Sequence, residues 1–188
     1  HAPGKSPFRV AVIGHLRGEK DPFRAVQALR RIERSAPVEV LQIGGALDPE
    51  MRERARGWTK IERRYRWLGS LDHAAAMRRL AASHVLVVSS VMEGGANVIC
   101  EAARIGVPVL ASDIPGNIGL LGNAYPGYFP TGDERALAAL MLRAARDRRF
   151  YRGLRARIAR LRPLVSPSNE ARMLCAALTA CTGAKDRR

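Results

Sequence analysis

Residues 84–111 read HVLVVSSVMEGGANVICEAARIGVPVLA. An apolar run at 84–88 is followed by serines and glycines, and then by a segment with helical periodicity at 96–105 that ends at Gly106. A second apolar run, at 107–111, comes directly after that glycine. The order strand, helix, strand is typical of a right-handed βαβ unit, in which the two strands are parallel. This part of the chain therefore predicts a parallel sheet.

The same alternation extends to both sides of this unit. Further strands are predicted at 8–13, 38–43 and 65–68, and further helices at 22–34, 49–60, 72–82, 134–147, 150–161 and 169–181. Five short strands of this kind indicate a doubly wound, Rossmann-like α/β domain followed by C-terminal helices. Ligands of such sheets bind at the carboxyl ends of the strands. We therefore expect the functional residues in the loops at 14–21, 44–48, 69–72, 89–96 and 112–120.

Length and composition indicate one globular core, because the chain has 188 residues, of which 47% are hydrophobic and 26% charged. We expect a linker at 1–7, the sheet domain at 8–162, and a C-terminal helix and tail at 163–188. The sequence has no apolar run of about 18 residues and no signal-peptide pattern, which favours a cytoplasmic protein. The three cysteines form no CxxC pattern, so neither a disulfide framework nor a metal centre is predicted.

The chain is strongly basic, with 32 lysines and arginines against 17 acidic residues and a net charge of +15. Most of the excess lies in residues 135–188. The arginines at 143–162 alternate with Leu, Ala and Ile, as on the solvated face of an amphipathic helix. An anionic membrane or partner surface is a second interpretation, which would place the protein peripherally at the inner membrane. Nucleic acid is a third interpretation, which no recognised motif favours.

The loop after the first strand contains two cations, Arg17 and Lys20. Both would lie at the carboxyl edge of the sheet, where they suit a diphosphate. The loop is neither GxGxxG nor the P-loop pattern, so those nucleotide-binding modes are not predicted. The alternative is that the two cations pair with Glu19, Asp21 or solvent.

A second motif, EGGANVICE at 93–101, begins and ends with a glutamate. Glu93 is followed by the glycine pair and helix start that we expect to bind an anion, because free backbone N–H groups and the helix dipole meet there. The residues of this start are Gly94, Gly95, Ala96 and Asn97. Glu101 lies about two turns into the helix and can point back toward the same crevice. The two glutamates could bind the hydroxyls of a sugar and of a ribose. Alternatively, they are only a dipole-favoured acidic residue and an exposed helix glutamate.

A third, turn-rich segment, SDIPGNIG at 112–119, also follows a predicted strand. Asn117 in this segment could contact a ligand or stabilise its own turn. The sequence leaves both possibilities open.

Three segments follow one another in a characteristic order: VIGHLRGEKDP at 12–22, RYRWLGSLDH at 64–73 and the segment 84–116. Together they resemble the C-terminal nucleotide-sugar-binding domain of retaining GT-B glycosyltransferases of family 4. The resemblance covers residues 8–161. It implies that Glu93 lies at the donor sugar, as nucleophile or charge stabiliser, and that Glu101 binds the ribose hydroxyls.

The same resemblance implies a nucleotide site formed by Gly14, His15 and the start of the glutamate helix. Lys20 matches the lysine with which the family binds the diphosphate, without a metal. His15 occupies the position of the family's arginine, and Arg17 follows two residues later. The donor would be a UDP-sugar, and no cofactor is implied.

A narrower resemblance, to the selenosugar synthases of selenoneine biosynthesis, rests on four segments. These are IGGALDP at 43–49, MEGGANVI at 92–99, SDIPGN at 112–117 and PGYFPTGD at 126–133. It implies transfer from UDP-N-acetylglucosamine to selenophosphate, with an acceptor-binding N-terminal domain that this chain lacks. The remaining interpretations are a non-catalytic nucleotide-sugar-binding subunit and a basic module for an anionic membrane or nucleic acid.

Overall fold

Strands and helices alternate along residues 7–183, the part of the chain that the computed structural model describes. The strands there are β1 (Phe8–Ile13), β2 (Val38–Ile43), β3 (Tyr65–Trp67), β4 (Val85–Val88), β5 (Val109–Ser112) and β6 (Tyr128–Phe129). The α-helices there are α1 (Arg24–Arg31), α2 (Pro49–Ile61), α3 (His73–Ala81), α4 (Asn97–Ile105), α5 (Pro115–Leu121), α6 (Glu134–Arg146), α7 (Arg148–Leu161) and α8 (Pro167–Gly183). A 3₁₀ turn at Gly18–Lys20 lies in the first loop. No helix among these residues is long and apolar enough to cross a bilayer.

The six strands form one parallel sheet in the order β3-β2-β1-β4-β5-β6. Val10 of β1 is in register with Val40 of β2 on one side and with Val85 of β4 on the other. The strand order therefore reverses between β1 and β4, and such a reversal opens a crevice at the carboxyl ends of these strands. The predicted doubly wound, Rossmann-like α/β fold is confirmed.

The core lies on both faces of the sheet. Every residue of β4 and β5 is buried, and successive strand residues point to opposite faces, so both faces are covered. Helix α1 packs against α6, which also contacts α7. These helices bury Leu29, Met141 and Leu154 completely. These helices and the central strands thus share one hydrophobic core.

The prediction of a loop at 112–120 is wrong in part, because α5 occupies Pro115–Leu121. Its prolines and glycines suggest turns, but Pro115 stands at the first helical positions, where the missing N–H costs nothing. Burial of Leu121 in the core then favours the helix over a turn. Tertiary packing thus overrides the local turn signal.

The sixth strand was not predicted, since β6 has only two residues. It pairs with the edge of β5, where Ala111 is in register with Tyr128. So short a strand has no readable alternation of its own, and it forms because β5 offers an unpaired edge. The first helix is also shorter than the predicted 22–34. The predicted linker 1–7 lies, except for Pro7, outside the described residues, and so does the tail from 184 onward.

The turn after β2 touches the first loop, which predicts a steric test of the fold. Gly44 has φ +147°, and a Cβ built on it would lie 1.9 Å from the carbonyl oxygen of Gly14. Gly44→Ala is therefore expected to lower the free energy of unfolding by about 3 kcal/mol, through strain and overpacking. Chemical denaturation measures the change.

The matched control is Gly57→Ala, in the middle of α2, where an added Cβ meets nothing within 4 Å. It is expected to raise the free energy of unfolding by about 0.5–1 kcal/mol, because alanine is the better helix former. Equal stability of the Gly44→Ala variant and the wild type would contradict the close approach of the two turns.

Candidate functional site

The loops after β1 and β4 are joined at the carboxyl edge of the sheet. The N–H of Val91 donates to the carbonyl of Glu19 at 2.9 Å. The Ser89 hydroxyl lies within hydrogen-bond distance of the carbonyls of Lys20, at 3.1 Å, and Asp21, at 2.9 Å. The two loops therefore form a single surface at the switch point between the central strands.

Lys20 and Glu93 meet on this surface. The Lys20 ammonium donates to Oε1 of Glu93, and the Ser90 hydroxyl donates to Oε2 of the same carboxylate at 2.8 Å. The Glu93 side chain is only 15% exposed, and that of Lys20 33%. The structure thus brings together the predicted anion-binding lysine and the predicted sugar-facing glutamate, 73 residues apart in sequence.

A cavity of about 20 Å³ lies beside this ion pair. Predicted site residues that line it are Gly14, His15, Lys20 and Glu93. Gln42 of β2 lines it as well. Gln42 is 1% exposed, and its Oε1 has no hydrogen-bond partner among the described residues. Gln42 is therefore a buried polar residue at this cavity that sequence reasoning did not identify.

Arg17 does not line this cavity. Its guanidinium lies 3.6 Å from the carboxylate of Glu19, and its side chain is 48% exposed. Pairing of Arg17 with Glu19 is the alternative to diphosphate binding that the sequence left open. Asp21, the other acidic residue of the loop, accepts instead from Nε of Arg24 at 2.7 Å.

The start of α4 lacks a side-chain cap. Four described helices, α2, α3, α6 and α7, begin at an aspartate whose carboxylate accepts backbone N–H groups of the first turn. At α4 the capping position is Ala96, which has no side-chain acceptor, and Gly94 and Gly95 precede it. The start of α4, like those of α1 and α5, therefore has no side-chain cap, and the backbone N–H groups of such a start can bind an anion.

Asn97 and Glu101 line a different cavity from Glu93. This cavity has a volume of about 500 Å³ and also contains Arg104 of α4 and Leu164. Glu101 is 19% exposed, and its Oε1 lies 3.7 Å from Nδ1 of His73. The expectation that both glutamates face one crevice is thus modified, because they line separate cavities. The two cavities are neighbours, since Val98 lines the first and Asn97 the second.

Asn117 faces the interior. It is fully buried, and its Nδ2 donates to the carbonyl and the hydroxyl oxygens of Ser112, both at 3.0 Å. Of the two possibilities that the sequence left open, the structure supports the stabilising one.

Sequence reasoning did not single out Ser89, Ser90, Gln42 and His73, although the two serines lie in the loop 89–96 where functional residues are expected. A signal existed for the serines, because two polar residues follow a buried strand at the carboxyl edge. Gln42 was also visible, as a polar residue within the apolar run of β2. His73 lies at the start of α3, and nothing in its local sequence shows that α4 lies opposite.

Comparison with known proteins identifies the protein family to which the chain belongs. A model of the family described as Glycosyl transferases group 1 matches residues 1–160. The chain belongs to this family. It is 30% identical over 162 residues to a glycogen synthase of Mycobacterium tuberculosis, an alignment that spans 85% of the chain and 39% of the relative.

Solved structures show the same fold. Anabaena HepE in complex with UDP matches with a TM-score of 0.77 and 19% identity, over 93% of this chain and 49% of HepE. Sucrose-phosphate synthase from Thermosynechococcus elongatus matches with a TM-score of 0.72 and 25% identity, over 94% of this chain and 46% of the synthase. HepE has also been crystallised with UDP-glucose. The chain therefore spans about half of these proteins or less, and the expected GT-B type of domain is confirmed.

Proposed function

We propose that the chain is the UDP-sugar-binding half of a retaining, metal-independent glycosyltransferase. The observation that carries the proposal is the contact of Lys20 with Glu93 beside the uncapped start of α4. This arrangement occurs at the switch point of the sheet, in a family member whose structural neighbour HepE binds UDP and UDP-glucose. The acceptor would bind to a second domain outside this chain.

Lys20 and the α4 start are proposed to hold the diphosphate. As the bond between the sugar and UDP breaks, negative charge grows on the departing diphosphate. A fixed ammonium group and oriented backbone N–H groups stabilise that charge without a metal ion. Arg17 stays a predicted second cation, and His15 and Gly14 line the cavity beside Lys20.

Glu93 is proposed to face the anomeric carbon. Its carboxylate neutralises Lys20 in the absence of donor. When a diphosphate takes up the positive charge of Lys20, the carboxylate can stabilise the oxocarbenium character of the sugar, as the carboxylates of glycoside hydrolases do. Glu101 is proposed to accept hydrogen bonds from the ribose hydroxyls in the neighbouring pocket.

The proposed reaction is that of a selenosugar synthase. Selenium of selenophosphate would form a bond to the anomeric carbon of UDP-N-acetylglucosamine. The bond from that carbon to the UDP oxygen would break, and UDP would leave with the electron pair. The narrower sequence resemblance supports this choice of donor and acceptor.

A second candidate, binding to an anionic membrane surface, is favoured by the outer face of α7. Arginines 148, 149, 152, 155, 157 and 160 are all exposed, and none of them has an ion pair among the described residues. No large apolar side chain is exposed on α7, so contact would be electrostatic and salt-dependent. This surface is compatible with a donor domain, and the cytoplasmic, inner-membrane location stays a prediction.

The test is calorimetric titration of this chain with UDP, UDP-glucose and UDP-N-acetylglucosamine in EDTA, at about 150 mM salt. We expect binding of all three without metal, with the N-acetylglucosamine donor the tightest. Binding that needs added Mg²⁺ would contradict metal independence. Absence of binding with or without Mg²⁺ would contradict the assignment as a donor site, and steeply salt-dependent binding to anionic vesicles in its place would favour the second candidate.

A further inference from the structure

Four buried polar residues lie beneath Glu93. Ser89 and Ser90 follow β4, Ser112 ends β5, and Asn117 lies in α5. None is more than 3% exposed. Buried polar groups are costly unless they are hydrogen-bonded, so their partners indicate what they hold in place.

Three of them are linked by hydrogen bonds to the backbone and from the side chain of Ser90, and the last of these bonds ends at the Glu93 carboxylate. Nδ2 of Asn117 donates to the hydroxyl oxygen of Ser112 at 3.0 Å. The Ser112 hydroxyl donates to the carbonyl of Ser90 at 2.6 Å. The Ser90 hydroxyl in turn donates to Oε2 of Glu93 at 2.8 Å. Ser90 is therefore held by its backbone carbonyl, which accepts from Ser112, and it holds Glu93 by its hydroxyl, which donates.

The backbone of Glu93 lies close against the start of α5. A Cβ built on Gly116, at the start of α5, would lie 2.0 Å from the carbonyl oxygen of Glu93 and 3.0 Å from its carbonyl carbon. Gly116 therefore allows α5 to approach the peptide of Glu93 more closely than any other residue would permit. This requirement is one of space.

Ser89 and Ser90 form hydrogen bonds with different loops. Ser89 lies within hydrogen-bond distance of the carbonyls of Lys20 and Asp21, so it holds the backbone of the first loop. Ser90 holds the side chain of Glu93. Because Oε2 accepts from Ser90, Oε1 is the oxygen directed to Lys20.

We propose that Ser90 is a positioning residue that fixes the rotamer of the Glu93 carboxylate, and that Ser112, Asn117 and Gly116 hold Ser90 and the Glu93 backbone in place. The proposal rests on the proposed function, in that Glu93 faces the donor sugar. Preorganisation of a carboxylate by buried neighbours keeps it aligned with the charge that develops during the reaction. In this proposal Ser90 acts through the Glu93 carboxylate, to which its hydroxyl donates.

The test is a double-mutant cycle on Ser90 and Glu93, read as the ratio of the dissociation constant for UDP to that for UDP-N-acetylglucosamine. We expect Glu93→Ala to reduce this ratio about tenfold, and Ser90→Ala about fivefold. The double variant should match Glu93→Ala, because Ser90 acts only through that carboxylate. In Ser90→Ala the dissociation constant for UDP alone should stay within about twofold, since in this proposal Ser90 acts only through the Glu93 carboxylate. For the two variants that lack Glu93, which also frees Lys20, UDP alone serves as the reference within the ratio.

Equal weakening of UDP and of the UDP-sugar by Ser90→Ala would overturn the proposal, since that is the result of general structural damage. Additive losses in the double variant would overturn it as well. A wild-type chain that binds no nucleotide would contradict the proposed function, and the positioning role is then tested by the crystal structure of Ser90→Ala. If the Glu93 carboxylate keeps its wild-type conformation in the structure of that variant, the positioning role is overturned. A changed conformation of the carboxylate would support the positioning role.

A second pair of variants covers the case in which Ser90→Ala does not fold. Gly116→Ala should reduce the same affinity ratio about fivefold, by displacing the Glu93 peptide. Gly119→Ala, in the same helix, meets nothing within 4 Å of its added Cβ and should leave the ratio unchanged. Equal ratios for the two variants would overturn the backbone contact as a positioning device.

Discussion

Replacing Glu101 with alanine is expected to weaken UDP binding by about 100-fold, because the ribose hydroxyls lose the carboxylate that accepts their hydrogen bonds. Hydrogen bonds to a charged group contribute roughly 1.5–3 kcal/mol each, and a loss of about 2.7 kcal/mol corresponds to this factor. Since the ribose is common to UDP and UDP-sugars, all donors should weaken equally. Isothermal titration calorimetry of the two chains measures the change.

The matched control for charge is Glu53→Ala. Glu53 lies on α2, is 70% exposed and pairs with Arg56 at 3.0 Å, so its removal changes the net charge by the same amount away from the site. It should leave UDP binding within about twofold, because exposed ion pairs contribute little. A Glu101→Ala chain that binds UDP as tightly as the control would remove Glu101 from the nucleotide site.

Replacing Lys20 with methionine should weaken UDP binding by about 10- to 100-fold, because the diphosphate loses a charge-assisted contact at the carboxyl edge of the sheet. With the acceptor-binding half present, turnover should fall further than donor affinity, since negative charge on the diphosphate increases as it departs. Affinity measured at two salt concentrations adds a second readout, because the variant should lose part of the salt dependence.

Arg17→Met tests the predicted second cation of the same loop and is compared with Lys20→Met. Its guanidinium is half-exposed and close to Glu19, so we expect a loss of about twofold or less. Lys20→Met also leaves Glu93 without its cationic partner. The double variant Lys20→Met with Glu93→Gln therefore separates the loss of nucleotide binding from the cost of a carboxylate that no cation neutralises. Losses of equal size at Arg17 and Lys20 would instead make both cations part of the diphosphate site.

Much of the architecture follows from local pattern. The runs that end in glycine or serine predict the first five strands, and the aspartates at 48 and 72 predict helix starts that the structure confirms as side-chain caps. These features depend on backbone geometry and on neighbours a few residues apart, so each segment of the chain is enough to predict its own strand or helix start. The exceptions, α5 and β6, are short elements that depend on what they pack against.

Candidate residues of the site could also be identified from their place after a strand, but their partners could not. The contact of Lys20 with Glu93 joins two loops whose distance is set by the pairing of β1 with β4. For the same reason, the burial of Asn117 and the space that requires Gly116 depend on how α5 packs.

The alternation of strands and helices along the chain, the parallel sheet and the glutamate motif were thus contained in the sequence, because hydrophobic period and helix-start chemistry are local properties. Only the tertiary structure decided which cation meets Glu93, that Glu101 lines a neighbouring pocket, and that Ser90 holds the carboxylate. Such pairings are set by the packing of elements far apart in the chain, and no spacing rule within a single segment encodes them.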